Sequence, residues 1–313
     1  MIDKLRSHSK DRQIDYMQKV NVTEYNQVLP FDPNKKVLDQ FGWNPVSVIK
    51  PTKSSKKNWS RAYLDNVEYR RNDGIEYLAG LKFSEFHAGL AENIIHYWSM
   101  KGATVVDPFA GRLTRAYVTS SLGRKYIGYD VVERTVNETN AVLQEDGLDG
   151  RVYLGNGCTM DSTSDGSADL VFTCPPYHQL EKYESVDYQL SDIGSYDDFL
   201  TQINVCAENC HRVLKDGGFC IWVVGDWREQ GTYRSFHSDL IKIMTDQSLS
   251  LHDTIIMENQ SPFATLQLGK VAANRYTSKI HEFILVFKKG GVLKPVSNVI
   301  MDTINLEDFY GTV

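Results

Sequence analysis

The sequence predicts an α/β fold whose mainly parallel sheet is covered on both faces. From about residue 81, apolar runs alternate with amphipathic stretches, and the runs are continuous rather than alternating, the pattern of strands buried on both sides. Of 313 residues, 42% are hydrophobic and 11% aromatic, which is enough apolar surface for a full core.

The elements follow in order. Residues 91–98 read as an amphipathic helix, and after Lys101-Gly102 the run Ala103-Thr-Val-Val106 ends at Asp107. A glycine-containing turn leads to a helix near 112–122 and a strand over 126–130. A helix over 131–145, strands over 151–154 and 168–173, a helix over 195–214 and a strand over 219–224 continue the alternation. A helix over 232–247 and strands over 249–256 and 282–287 close it. The last two strands have no helix between them, so the sheet is expected to end in an antiparallel, hairpin-like edge. Residues 1–80 show turn signals such as Leu29-Pro30, Asp32-Pro33 and Asn44-Pro45 without a sustained period, and read as an irregular arm. The expected layout is an arm over 1–80, a core domain over 81–290 and a weakly ordered acidic tail over 291–313.

Composition narrows the function. No uncharged apolar run reaches about 18 residues, and the charged start does not resemble a signal peptide, so membrane insertion and secretion are not expected. Five cysteines without a C-x-x-C pair indicate neither a disulfide framework nor a structural zinc site, and Cys206 and Cys210 read as small core residues. A reducing, cytoplasmic setting is the expectation. Net charge is -6, yet residues 1–72 hold 14 Lys/Arg against 8 Asp/Glu, leaving 20 against 32 for the rest. Within the basic part, Lys50, Lys53, Lys56, Lys57 and Arg61 surround Trp59. Such a stretch suits phosphate contacts with a stacking aromatic, or a solvated loop whose tryptophan anchors in the core.

In a parallel sheet, ligands sit at the carboxyl ends of strands near the point where strand order reverses. The first strand end carries Asp107-Pro-Phe-Ala-Gly111, where Gly111 lets backbone approach a ligand and the Asp107 carboxylate can accept from a cationic group. Asp130 closes the next strand 23 residues later, the spacing at which such folds bind ribose hydroxyls. The loop lacks the glycine set that receives a pyrophosphate, so a nucleoside fits better than a dinucleotide, and a NAD-dependent enzyme is the least favoured class. A third strand runs into Cys174-Pro175-Pro176-Tyr177. Two prolines remove two N–H donors and stiffen the turn, leaving carbonyl oxygens to bind the hydrogens of an exocyclic amine while Tyr177 stacks on the base. A strand-terminating turn with Tyr177 in the core is the alternative.

These motifs resemble those of the S-adenosylmethionine-dependent DNA amino-methyltransferases, which modify adenine N6 or cytosine N4. Asp107-Pro-Phe-Ala-Gly111 is similar to the family's cofactor motif and Cys174-Pro-Pro-Tyr177 to its catalytic motif. Ser84-Glu-Phe86, Tyr126–Asp130, Gly155-Asn156, His211–Gly218, Val224-Gly-Asp226 and His281–Phe287 extend the likeness over about residues 80–290. The segment 173–183, with Ser47-Val-Ile49 and Trp59 upstream, resembles a phage and prophage branch of these methylases. The resemblance implies a Rossmann-like methyltransferase fold and the cofactor S-adenosylmethionine. It implies that Phe86 and Phe109 line the cofactor cavity, Asp107 and Gly111 hold the methionine part, Asp130 binds the ribose, and Asn156 contacts the cofactor's adenine. Catalysis is assigned to Cys174, Pro175, Pro176 and Tyr177. DNA is the implied partner, with Lys53, Lys56, Lys57, Trp59 and Arg61 as its expected contacts.

Two positions depart from the family pattern. Arg112 stands where a second glycine is common, and Cys174 where Asp, Asn or Ser is usual. A thiol is a poor acceptor, which shifts the binding of the amine toward the carbonyls beside Pro175. Cys174 as a nucleophile for cytosine C5 is disfavoured because that chemistry places cysteine after proline. His178 reads as solvated or DNA-facing, and Glu181 and Tyr183 as loop residues. Arg112, Arg115, Arg228, Arg234, Lys270 and Arg275 are further candidate DNA contacts that no sequence rule assigns to one face. An RNA base methyltransferase and a non-catalytic DNA-binding protein on the same fold are the remaining alternatives.

Overall fold

A computed structural model describes residues 45–50, 60, 63, 86–179, 186–258 and 268–290. Its elements are β1 (Val48–Ile49), α1 (Ala88–Trp98), β2 (Thr104–Asp107), α2 (Thr114–Ser121), β3 (Lys125–Asp130), α3 (Glu133–Glu145), β4 (Gly150–Leu154) and β5 (Ala168–Thr173). Then come α4 (Tyr196–Val213), β6 (Leu214–Val224), β7 (Trp227–Glu229), β8 (Thr232–Arg234), α5 (Phe236–Asp246), β9 (Leu249–Glu258), α6 (Leu268–Ala273) and β10 (His281–Lys289).

Eight strands form one sheet in the order β1-β9-β10-β6-β5-β2-β3-β4, an α/β Rossmann-like arrangement. Strands β4, β3, β2, β5 and β6 run parallel, and β10 is antiparallel to both β6 and β9. The expectation of an antiparallel edge is corrected in one respect. β10 lies inside the sheet between β6 and β9, and α6 separates it from β9 in the chain. Its sequence explains why: Ile284, Leu285, Val286 and Phe287 are all fully buried, and only an interior strand buries a continuous apolar run on both faces. The edge beyond β9 is closed by β1, whose Val48 and Ile49 pair with Ile256 and Met257 although they lie within the stretch read as an irregular arm.

Helices form a layer on each face. On one side, Leu113, Ala116 and Tyr117 pack with Tyr126, Val136, Val142, Leu143 and Val152. The Asn140 amide accepts from Val152 N and donates to Val152 O, both at 2.8 Å, pinning β4 to α3. On the other side, Phe199, Ile203, Phe236, Leu240 and Met244 from α4 and α5 cover Val171, Trp222, Leu285 and Phe287. Helix α4 starts at Ser195, whose hydroxyl caps Asp198 N at 3.1 Å, with Asp197 and Asp198 in its first turn facing the positive helix end. Cys206 shares sulfur hydrogen bonds with Cys158 and Cys210 inside this core, where all three are buried. Among the described residues, no helix is long and apolar enough to cross a membrane.

Candidate active site at the carboxyl edge of the sheet

Strand order reverses between β2 and β5, which are direct neighbours through Val105↔Leu170 and Val106↔Val171. The two loops singled out by sequence therefore leave the sheet side by side. A hydrogen bond joins them: Thr173 Oγ1, at the end of β5, donates to Asp107 Oδ1 at 2.7 Å.

Asp107 is fully buried and receives four donors. Phe109 N (3.1 Å) and Thr173 Oγ1 reach Oδ1, while Arg115 Nε (2.7 Å) and Tyr126 OH (2.9 Å) reach Oδ2. A carboxylate offers about four acceptor positions, so none remains for a ligand. The cationic group that Asp107 meets among the described residues is Arg115 of its own chain. Burial opposes the Arg115 charge, but Asp107, together with Cys174 and Tyr126, outweighs it and holds the pKa above its ordinary value. The guanidinium also donates to Phe109 O and to Ala110 O, and lies 4.9 Å from the centroid of the Phe86 ring. Arg115 is a keystone of the loop and not a DNA contact.

Gly111 adopts φ 55°, the left-handed region that glycine tolerates, and its N–H donates to Asp130 Oδ2 at 2.9 Å. Val132 N donates to Asp130 Oδ1 at 2.8 Å. Each oxygen of Asp130 keeps a second acceptor position, and the side chain remains partly accessible. Burial pushes its pKa up to about 6, against the lowering by the two backbone N–H groups. Asn156 Oδ1 accepts from Cys158 N at 2.9 Å, leaving the amide nitrogen as the group available to a ligand. Next to it, Gly157 sits where a Cβ would fall 1.6 Å from Pro108 O, so glycine alone lets the loop after β4 touch the loop after β2. Phe86 and Phe109 are half-buried, packed edge-on against Phe172 and Trp222 at 5.5 and 5.8 Å.

On the second lip, Pro175 is buried, while Cys174, Pro176 and Tyr177 are partly accessible. The Pro175 carbonyl accepts no hydrogen bond from any described residue. Tyr177 lies edge-on to Trp227 at 5.6 Å, and a Cβ at Gly225 would meet its phenolic oxygen at 3.2 Å. His178 is buried and neither solvated nor facing DNA. Its Nε2 lies 2.8 Å from Ile193 O, and its Nδ1 is 3.0 Å from Glu229 Oε1 at an angle poor for a hydrogen bond. Glu229 in turn accepts from Arg234 Nε at 2.9 Å, so the β7–β8 hairpin backs the loop that carries Tyr177.

Of the expected basic contacts, Lys53, Lys56, Lys57, Trp59 and Arg61 lie outside the described residues, as do Glu181 and Tyr183. Their neighbours Ser60 and Tyr63 are described. Ser60 Oγ donates to Asp146 at the end of α3, and the Tyr63 ring packs tilted against Tyr117 at 4.4 Å. The end of α3 leads into β4, which puts this anchor at the amino edge of the sheet, opposite Tyr177. Sequence reasoning missed Thr173, Gly157 and Trp227 as site residues. The turn dipeptide Asn156-Gly157 was the one visible signal among them.

Comparison with known proteins places this geometry in a family. The N6/N4 methyltransferase family model, described as DNA methylase, matches residues 6–141 and 168–308; the unmatched interval holds β4 and Asn156. The orphan methyltransferase M.BamHII of Bacillus amyloliquefaciens is 30% identical over 132 residues, 42% of each chain. The type II methyltransferase M.MthZI of Methanothermobacter thermautotrophicus is 28% identical over 159 residues, 45% of each chain. The chain thus spans about half the length of the curated relatives it matches. Among solved structures, a SAM-dependent methyltransferase from Methanosarcina mazei superposes with TM-score 0.45 at 14% identity, over 63% of this chain and 96% of that one. The family match covers most of the sequence and both strand-end loops, and the chain belongs to the N6/N4 DNA methylase family.

Proposed function

We propose that this chain transfers a methyl group from S-adenosylmethionine to the exocyclic amino group of a flipped DNA base, with adenine N6 ahead of cytosine N4. The observation that carries the reading is the Thr173–Asp107 hydrogen bond, which joins the loop after β2 to the Pro-Pro-Tyr loop and supports reading them as two walls of one crevice. The residues present fit the cofactor. Asp130 has two acceptor positions for ribose hydroxyls, Asn156 an amide nitrogen for an adenine ring, and Phe86 and Phe109 apolar faces to flank it. When bound, S-adenosylmethionine supplies an activated sulfonium methyl.

The chain's own residues position and desolvate. The Pro175 carbonyl accepts a hydrogen of the target amine, which turns the nitrogen lone pair toward the methyl donor. Tyr177 stacks on the extruded base, and a two-ring purine offers it the larger face, which supports adenine over cytosine. Trp227 and Gly225 fix the angle of that ring. Cys174 adds a thiol beside the amine, without the acceptor strength of a carboxylate or amide.

Modified nucleosides from DNA of cells producing the protein, identified by mass spectrometry, test this reading. The expected product is N6-methyladenine, lost in Tyr177→Ala. N4-methylcytosine would change the base and keep the mechanism, 5-methylcytosine would revive the thiol nucleophile, and methylated RNA alone would move the substrate class.

A further inference from the structure

We propose that the β7–β8 hairpin and the segment 274–280 form a DNA-contacting platform beside the base pocket, an inference that rests on the DNA reading above. Arg228 projects from β7 with its guanidinium 3.9 Å from the Tyr276 ring centroid and 5.1 Å from that of Tyr233. Lys279 Nζ lies 4.9 Å from the centroid of that same Tyr233 ring. Tyr233 and Tyr276 are 37% and 36% exposed, and Ile280 beside them 53%. Two accessible rings interleaved with two cations make the surface that stacks bases or sugars and pairs phosphates at once.

The sign of the surface is set by where the acids go. Asp226 points inward, accepting from Tyr233 OH at 2.6 Å and lying 2.8 Å from His237 Nδ1. Glu229 is held by Arg234 beneath the hairpin. Arg228 and Lys279 are paired with no carboxylate among the described residues. From residue 259 to residue 281 the sequence has no Asp or Glu, while it has Lys270, Arg275 and Lys279. In a chain whose residues beyond 72 carry 12 more acids than bases, this is a local reversal.

The position is the second argument. β10 is antiparallel to β6 with Phe283 opposite Val224, so the residues before His281 emerge at the edge where Tyr177 stands. The hairpin begins at Trp227, whose ring contacts Tyr177. Ser60, the described neighbour of Trp59, lies instead at the amino edge. Among the described residues, the platform is a cationic surface placed to grip DNA flanking an extruded base.

Anisotropy of a labelled duplex, titrated across a potassium chloride series with full-length protein, tests the assignment on Arg228→Ala/Lys279→Ala and on Tyr276→Ala. Cofactor affinity is measured in parallel by calorimetry. The double variant is expected to lower the slope of log affinity against log salt by about 1 per cation removed, and Tyr276→Ala to weaken binding about tenfold. Cofactor affinity and melting temperature should stay as in the parent. If the parent binds DNA and both variants match it in affinity and slope, the platform is wrong and the enzyme reading stands. If the parent binds cofactor and RNA but not DNA, both the occupant and the substrate class fall.

Discussion

The loops after β2 and β5 sit side by side, yet their polar groups are used in opposite ways. The first is closed on itself: all four acceptor positions of Asp107 are filled, and Arg115 returns to Phe109 and Ala110. The second keeps the Pro175 carbonyl unengaged by any described residue and Tyr177 accessible. On the proposed reading, the closed loop keeps its shape beside the cofactor and the open one keeps its acceptor for the base; Thr173 couples the one to the other.

Breaking the closed loop has the largest expected effect. Arg115→Met leaves Asp107 as a buried, uncompensated charge and should cost about 3–5 kcal/mol of stability, read by urea denaturation. A loss well under 1 kcal/mol would show that the pair does not organise the loop. Asp107→Asn combined with Arg115→Met should lose less than the two single losses added together, because the partners share one interaction.

Next is the open loop. Tyr177→Ala should cut methyl transfer at limiting DNA about a hundredfold while calorimetric cofactor affinity stays within about twofold, since on the proposed reading Tyr177 meets the base and not the cofactor. Equal losses in both measurements would mean that the two walls are not separable in function.

Asp130 sharpens the comparison through pH. Its carboxyl is raised from an ordinary value of 3.8 to about 6, chiefly by burial. The folded state therefore binds this proton more tightly than the unfolded chain. The stability so gained is complete below the ordinary value and is lost as pH rises through about 6. Cofactor binding runs the other way, because ribose hydroxyls need an acceptor: affinity should rise as pH passes upward through about 6, by up to about tenfold. In Asp130→Asn that pH dependence should vanish. A wild-type affinity that is flat across the same window would remove Asp130 from the ribose site.

The smallest expected change is at Cys174. Serine there restores a good acceptor at the same size and should raise methyl transfer about threefold without altering cofactor affinity. If transfer is abolished instead, sulfur is taking part in the chemistry.

The parallel strands were legible because each is a continuous apolar run closed by a turn or an acid, and β5 spans residues 168–173 as read. The hairpin was not. Its strands are three residues each, and the sequence suggests a helix from 232, whereas Gln230 and Gly231 take φ 47° and 87° and turn the chain back. The interior place of β10 was hidden because strand order is a long-range property. The loops themselves could be read from motif residues, but their wiring could not: Asp107 and Arg115 are both charged, and spacing does not tell a ligand contact from a buried pair. His178 shows the same limit, since a polar residue beside an open loop looks solvated until its backing hairpin is known.

Because β9 and β10 are zipped together along their length, Glu258 and His281 are held opposite each other at one end of the sheet. On the proposed reading, exchanging the span between these two residues among relatives would alter contacts with DNA while the strands that carry the two loops stay paired.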